Sequence, residues 1–247
     1  MAPGFAGLGG GPRWPGQCAF CRCWCRGPLC GDCDTRHAVD TARRCALCAL
    51  RLPAGAGTML CGRCLAHPLP LSRCVAAMDY VFPWDRLLLA LKFGERLEFA
   101  PLLAARLSEA IALARVERPD LVVPIPLSAK RLRERGYNQA HEIARRLVLP
   151  RRSTAADAPG PEPERQSRLC AQTLMRVRHT DQQAQLPLDE RRGNLRGALA
   201  VVKPVHGLRV AIVDDVMTSG ATLHEAALAL RRAGARDVQA WVVARTP

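Results

Sequence analysis

The sequence predicts an α/β fold, a mostly parallel sheet with helices on both faces, preceded by a small cysteine-rich module. Three observations carry this. Ten of the twelve cysteines lie between Cys18 and Cys64. From Asp79 onward, helix-spaced and strand-like apolar segments alternate. Near the C-terminus, an apolar strand runs into two adjacent carboxylates and a loop of small and hydroxyl residues. A chain of 247 residues has room for one ordinary domain and a small module, and 49% apolar with 23% charged residues excludes wholesale disorder. No run approaches the roughly 18 apolar residues of a membrane span. The best candidates, near Leu87 and Leu121, are broken by Lys92 and by Pro124 and Pro126, so no membrane insertion is expected.

Residues 1–17, rich in Gly and Pro, lack the basic start and apolar block of a secretion signal. They are expected to form a disordered tail of a cytoplasmic protein. Residues 18–70 read as a metal-binding module, because four Cys-x-x-Cys pairs occur there: Cys18/Cys21, Cys30/Cys33, Cys45/Cys48 and Cys61/Cys64. Two residues between thiolates let one turn present both sulfurs to a tetrahedral ion at about 2.3 Å, and a second turn closes the site. Zinc in a structural role is the expected ion, since four thiolates leave no open position for substrate. Disulfides are the alternative, but bridging a Cys-x-x-Cys pair staples only a tiny loop. Cys45/Cys48 with Cys61/Cys64 is the firmer set. Cys23 and Cys25 are able to compete in the earlier one, and the four pairs are also able to assemble in crossed order.

Residues 71–247 read as the α/β domain. Helices are expected over 84–93 and 96–115, where Leu87, Leu91, Leu103, Leu107 and Ile111 recur at helical spacing. A short apolar strand follows at Leu121–Ile125, then a basic loop, then a helix from Asn138 to about Val148. Residues 151–185 read as a flexible loop, with a strand near Leu174. A helix over Asp189–Arg196 and strands at 198–202, 210–213 and 238–243 complete the pattern, with a helix at Ala221–Arg232 ending at Gly234.

Lys plus Arg total 36 against 22 Asp plus Glu, a net +14, and only Lys92, Lys130 and Lys203 are lysines. This balance favours phosphate-bearing partners, either nucleotides, sugar phosphates or nucleic acid, without choosing among them. A solvated basic surface is the plain alternative.

The segment Arg209-Val-Ala-Ile-Val-Asp-Asp-Val-Met-Thr-Ser-Gly-Ala-Thr222 is the most informative. A loop at a strand's carboxyl end projects into the crevice where open α/β sheets bind ligands. Thr218, Ser219, Gly220, Ala221 and Thr222 suit a phosphate, through free amides at the helix start, hydroxyl donors and close backbone approach at glycine. Asp214 and Asp215 suit sugar hydroxyls, or a metal shared with the sugar. Helix capping needs only one of these residues. Neither a Walker Gly-Lys-Ser/Thr nor a Gly-x-Gly-x-x-Gly fingerprint is present.

Val213-Asp-Asp-Val-Met-Thr-Ser-Gly-Ala-Thr222 resembles the phosphoribosyl pyrophosphate motif of type I phosphoribosyltransferases. Together with the paired cysteines, Asp79-Tyr80, Leu91-Lys92-Phe93, Val123-Pro-Ile-Pro-Leu127 and Arg131-Leu-Arg-Glu-Arg-Gly-Tyr-Asn-Gln139, the chain from Cys18 resembles the ComF/GntX family. The resemblance implies a type I phosphoribosyltransferase-like domain behind a zinc-ribbon-like segment, in proteins linked to natural competence and DNA uptake. It implies that Asp214 and Asp215 meet the ribose hydroxyls and that Thr218–Thr222 hold the 5′-phosphate. Pro126, Leu127 and Ser128 would lie near the pyrophosphate, with Arg131, Arg133 and Arg135 to neutralise it and magnesium bridging substrate oxygens. Arg176, Arg178, Gln183, Arg191 and Asn194 are further candidates in or after the flexible loop. Oxopurine-using members carry Asp where this chain has Thr218, which tells against purine salvage. The implied activity is transfer of phosphoribose to an unknown acceptor. One alternative is a protein of the same fold that binds a nucleotide, sugar phosphate or single-stranded DNA without turnover, although 4% aromatic content is thin for base stacking; another is a scaffold that docks competence machinery proteins through the cysteine module.

Overall fold

A computed structural model describes residues 15–39, 41–149, 167–177 and 197–247. The expected helix at 189–196, Arg178, Gln183, Arg191 and Asn194, most of the 151–185 loop and residues 1–14 of the tail lie outside the described residues. The chain divides into two compact units, Met1–Ala38 and Val39–Pro247. This division differs from the 18–70 grouping read from the sequence, because it leaves the second cysteine tetrad with the sheet.

In the smaller unit, β1 (Gly16–Gln17) pairs antiparallel with β2 (Trp24–Cys25), and α1 (Gly31–Arg36) follows. Gly16 and Gln17, read as the end of the tail, are therefore already in a strand.

The larger unit opens with α2 (Gly62–Ala66) behind the second cysteine set. Its sheet comprises β3 (Arg73–Asp79), β4 (Leu121–Pro124), β5 (Arg168–Leu169), β8 (Arg209–Met217) and β9 (Asp237–Arg245). The strand order is β3-β9-β8-β4-β5, with every pairing parallel. A separate antiparallel ribbon joins β6 (Leu174–Arg176) to β7 (Leu199–Val201). The helices are α3 (Trp84–Phe93), α4 (Ala100–Ala114), α5 (Ala129–Arg135), α6 (Gln139–Ala144) and α7 (Ala221–Arg232).

Strands β8 and β9 are buried along nearly their whole length, and their Val, Ile and Trp content is that of strands covered on both faces. One face packs against α4 and α6. On the other, Ile212, Ala240 and Val242 share a core with Leu223 and Leu230 of α7, with Leu174 and Leu199 of the ribbon, and with Cys45, Cys48 and Cys64.

Three differences from the sequence reading have physical causes. Strand β3 has only a weak sequence signal, because its small residues, Cys74-Val-Ala-Ala-Met78, directly follow the cysteine module and lack the bulky β-branched character of β8. The basic loop is largely helix α5, capped where the Ser128 Oγ accepts from the Arg131 N–H at 3.3 Å and ended by Gly136 at φ +73°. Helix α6 begins at the expected Asn138 cap, whose Oδ1 accepts from the His141 N–H at 3.3 Å, but stops at Ala144.

Candidate functional site

Parallel strands offer a crevice where successive connections diverge to opposite sides of the sheet. Here that point lies between β4, whose chain moves outward to β5, and β8, whose chain crosses to β9. The carboxyl ends of both strands open onto a cleft of about 630 Å³. Its lining includes Asp214, Asp215, Thr218 and Thr222 from β8 and the following turn, and Pro126, Leu127, Arg131 and Arg135 from the turn after β4 and helix α5. The sequence-predicted residues thus converge from two distant segments. Arg176 of the ribbon lines the same cleft.

The turn after β8 enters α7 through a left-handed glycine. Gly220 lies at φ +79° and caps α7, a left-handed conformation that favours glycine, and a Cβ there would have to displace the Met217 Cε, 2.5 Å away. The Ser219 Oγ accepts from the Ala221 N–H at 3.3 Å, which commits this hydroxyl to the turn, while Thr218 and Thr222 face the cleft. The first N–H groups of α7 lack partners within the helix and concentrate its positive end at this point.

Of the other predicted residues, Ser128 is buried as the α5 cap. Arg131 and Arg135 stand four apart on one face of α5 and reach the cleft, whereas Arg133, two residues from each, is absent from its lining. The Gln139 Oε1 accepts from Arg135 at 3.0 Å, and the Arg135 guanidinium stacks on the Phe93 ring at 5.0 Å, fixing the arginine at the mouth of the cleft.

The sequence reading did not single out Lys92 or Gln139 as site residues. The Lys92 Nζ lies 3.1 Å from the Asp215 carboxylate, which is buried. Burial and the neighbouring Asp215 push the Asp214 carboxyl up to about 7, although Lys92 opposes the shift. The signal for both residues lay in the quoted Leu91-Lys92-Phe93 and Tyr137-Asn-Gln139 segments. The Tyr137 hydroxyl donates to the Leu91 carbonyl and Asn138 donates to the Ile125 carbonyl at 2.9 Å, so these segments are tied to the cleft's walls.

The cysteine pairs assemble uncrossed, as Cys18/Cys21/Cys30/Cys33 and Cys45/Cys48/Cys61/Cys64, with the sulfurs of each set within 4.8 Å of one another. The Cys21–Cys30 and Cys48–Cys61 sulfurs are each 3.6 Å apart, close to the edge of about 3.8 Å that a tetrahedron with 2.3 Å bonds dictates. Both sets can therefore hold a zinc ion. Burial raises the Cys45 thiol, but N–H groups of Cys61, Leu47 and Cys48 outweigh it and bring the group down to about 7, which favours the ligating thiolate. Cys23 lies 3.3 Å from Cys21, an additional thiol beside the first set.

A mostly parallel α/β domain with a cleft at the carboxyl ends of its strands, together with two four-cysteine sets, is thus the class that fold and residues define. No family model matches the chain. It is 38% identical over 234 residues to DNA utilization protein YhgH of Salmonella typhi, covering 91% of this chain and 96% of that protein. The same-named protein of Escherichia coli K12 is 34% identical over 236 residues, covering 91% of this chain and 96% of its own. Competence protein F of Haemophilus influenzae is 33% identical over 192 residues, or 75% of this chain and 78% of that protein. The chain belongs to this competence and DNA-utilization family, the ComF family. Among solved structures, one described as the allosteric regulatory enzyme of purine biosynthesis aligns at TM-score 0.33 and 21% identity, over 59% of this chain and 26% of that one. No helix among the described residues is long and apolar enough to cross a membrane.

Proposed function

We propose that the cleft binds phosphoribosyl pyrophosphate or a closely related sugar phosphate and transfers its phosphoribosyl group to an acceptor, in a role linked to DNA uptake. One observation carries this reading: Asp214 and Asp215 share an open cleft with Thr218 and Thr222 of the following turn and with Arg131 and Arg135 of α5. The turn's amides and the Thr218 and Thr222 hydroxyls would hold the 5′-phosphate. The two carboxylates would accept hydrogen bonds from the ribose hydroxyls, and the arginines would bind the pyrophosphate by charge-assisted hydrogen bonds. In the transfer, the bond from the anomeric carbon to pyrophosphate breaks with its electron pair leaving on the pyrophosphate, and an acceptor lone pair forms the new bond. Arg131 and Arg135 would stabilise the departing anion, and the walls would fix its alignment.

Magnesium would neutralise charge on the leaving group. Asp214 and Asp215 supply hard oxygen donors suited to such an ion, which typically keeps water and substrate oxygens as its remaining ligands. Zinc in the two tetrads would be structural. The relatives' names support a connection to DNA utilization and competence.

The test is thermal unfolding with phosphoribosyl pyrophosphate and magnesium. Ligand at about 100 times its Kd should stabilise the protein by about 2.7 kcal/mol, and Asp214→Asn with Asp215→Asn should abolish that response. An undiminished response in the double variant removes the site assignment. A response without pyrophosphate release, across a panel of free bases, would favour a sensing or binding role over transfer.

A further inference from the structure

We infer that the larger unit carries a second anion site, at the opposite end of the sheet from the cleft, built to hold the phosphodiester backbone of a nucleic-acid strand. At the amino ends of β3, β8 and β9, beside the end of α4, lies a groove of about 510 Å³. Four arginines line it: Arg73, Arg115, Arg209 and Arg236. Two carboxylates face them. Glu117 is engaged by Arg209 at 2.8 Å, and Asp237 by Arg231 at 3.6 Å. Asp120 nearby accepts the Arg209 backbone N–H at 2.8 Å. Among the described residues, no carboxylate lies within ion-pair reach of Arg73, Arg115 or Arg236. Three guanidinium groups therefore line one groove without an ion-pair partner of their own, and four arginines stand there against two carboxylates, an excess that an anion would balance.

A second observation points to a ligand with more than phosphate to offer. Gln239 lines the groove at 3% exposure, and its Nε2 donates to the Glu117 carbonyl at 2.9 Å. Its Oε1 is buried and accepts no hydrogen bond. A buried acceptor without a donor is costly, and a sugar hydroxyl or base amino group would satisfy it. Arg168, exposed, opens β5 at the same amino edge of the sheet and extends the basic positions beyond the groove. That width suits a polymer better than a single phosphate. An anionic membrane would want an apolar insertion surface, and the lining offers only Ala114 and Val116.

The inference stands apart from the cleft reading and is tested apart from it. Labelled single-stranded oligothymidylate is titrated by fluorescence anisotropy into the zinc-loaded full chain across a salt series. Three released counterions give an expected log–log salt slope of about −2. Arg115→Glu with Arg236→Glu, both at exposed positions, should weaken binding at least about tenfold and flatten that slope. The charge-matched pair Arg86→Glu with Lys130→Glu, on α3 and α5, should weaken it far less. Asp214→Asn with Asp215→Asn should leave it unchanged, and the Arg115/Arg236 variant should keep its thermal response to phosphoribosyl pyrophosphate, which also verifies its fold. Equal losses in the two charge-reversal pairs overturn the site. So does oligonucleotide binding abolished by the Asp214/Asp215 variant, or binding to anionic vesicles with none to the oligonucleotide.

Discussion

The two cysteine tetrads share a spacing motif and differ in almost everything around it. The first sits in the small unit, with Cys21 exposed, Cys30 half-buried and Cys23 as a rival thiol 3.3 Å from Cys21. The second is part of the sheet's core, where Cys45, Cys48 and Cys64 pack in one cluster with Leu69, Leu71 and Met217. Three arginine contacts extend that integration to the end of β8 and the turn that follows it. Arg63, between the ligand positions Cys61 and Cys64, donates to the Ser219 carbonyl. Arg245 of β9, itself buried, donates to the Cys48 carbonyl at 2.9 Å and to the Met217 carbonyl at 3.3 Å. Identical cysteine spacing can therefore serve a small unit of its own in one place and join a sheet's core, next to the turn after β8, in another.

The largest expected effect tests that asymmetry directly. Cys64→Ser removes a buried ligand from the second set, and Cys33→Ser does the same in the first. For a unit of this size, about 1 kcal/mol moves Tm by roughly 2–4 °C. Loss of one ligand from a structural site costs several kcal/mol of folding free energy. The Cys64 variant should thus lower the main transition by at least about 10 °C, while the Cys33 variant moves it by less than about 2 °C. Calorimetry with zinc content measured on the same samples decides. Comparable losses would show that both tetrads stabilise the sheet alike.

A smaller effect sharpens the bracing itself. Arg63→Ala keeps all four cysteines but removes the donor to Ser219. A hydrogen bond from a charged group contributes about 1.5–3 kcal/mol, and Arg63 is exposed, so the lower end applies. Affinity for phosphoribosyl pyrophosphate should fall about tenfold, with zinc content intact. Faster amide exchange across 218–222 is the readout that does not depend on the ligand. Unchanged exchange in that turn would mean the module merely sits beside it.

How much of this could be read from the chain varies with the range of the interaction. The Asp214-Asp215 pair and the Thr218–Thr222 turn were legible because one short segment encodes strand, turn and helix start. The tetrads were legible because Cys-x-x-Cys spacing is local chemistry. Arg131 and Arg135 were found on the wrong premise of a loop, and only the helix explains why Arg133 parts company with them. Lys92 reaches Asp215 across 123 positions of sequence, and Arg63 reaches Ser219 across 156. Neither pairing leaves a mark in periodicity or composition. The integration of the second tetrad was hidden for the same reason, since a core shared between Cys45 and Ile212 exists only once the strand order is known.

The smallest effect separates the cleft's own charge from the module's support. Burial and the neighbouring Asp215 push the Asp214 carboxyl up to about 7. Between its unfolded value, near about 3.9, and that folded value, the native state binds the extra proton. Stability should therefore fall as pH rises through this window, levelling above it, because the ionised carboxylate is disfavoured in the fold. Ligand binding runs the opposite way, since the ionised carboxylate is the better acceptor for ribose hydroxyls. Affinity for phosphoribosyl pyrophosphate should rise a few-fold between about pH 6 and pH 8, and Asp214→Asn should flatten that rise. Thiolate protonation in the tetrads also acts in this direction, so bound zinc is measured at both ends. A rise that persists in Asp214→Asn and tracks zinc content would transfer the pH response from the cleft to the cysteine module.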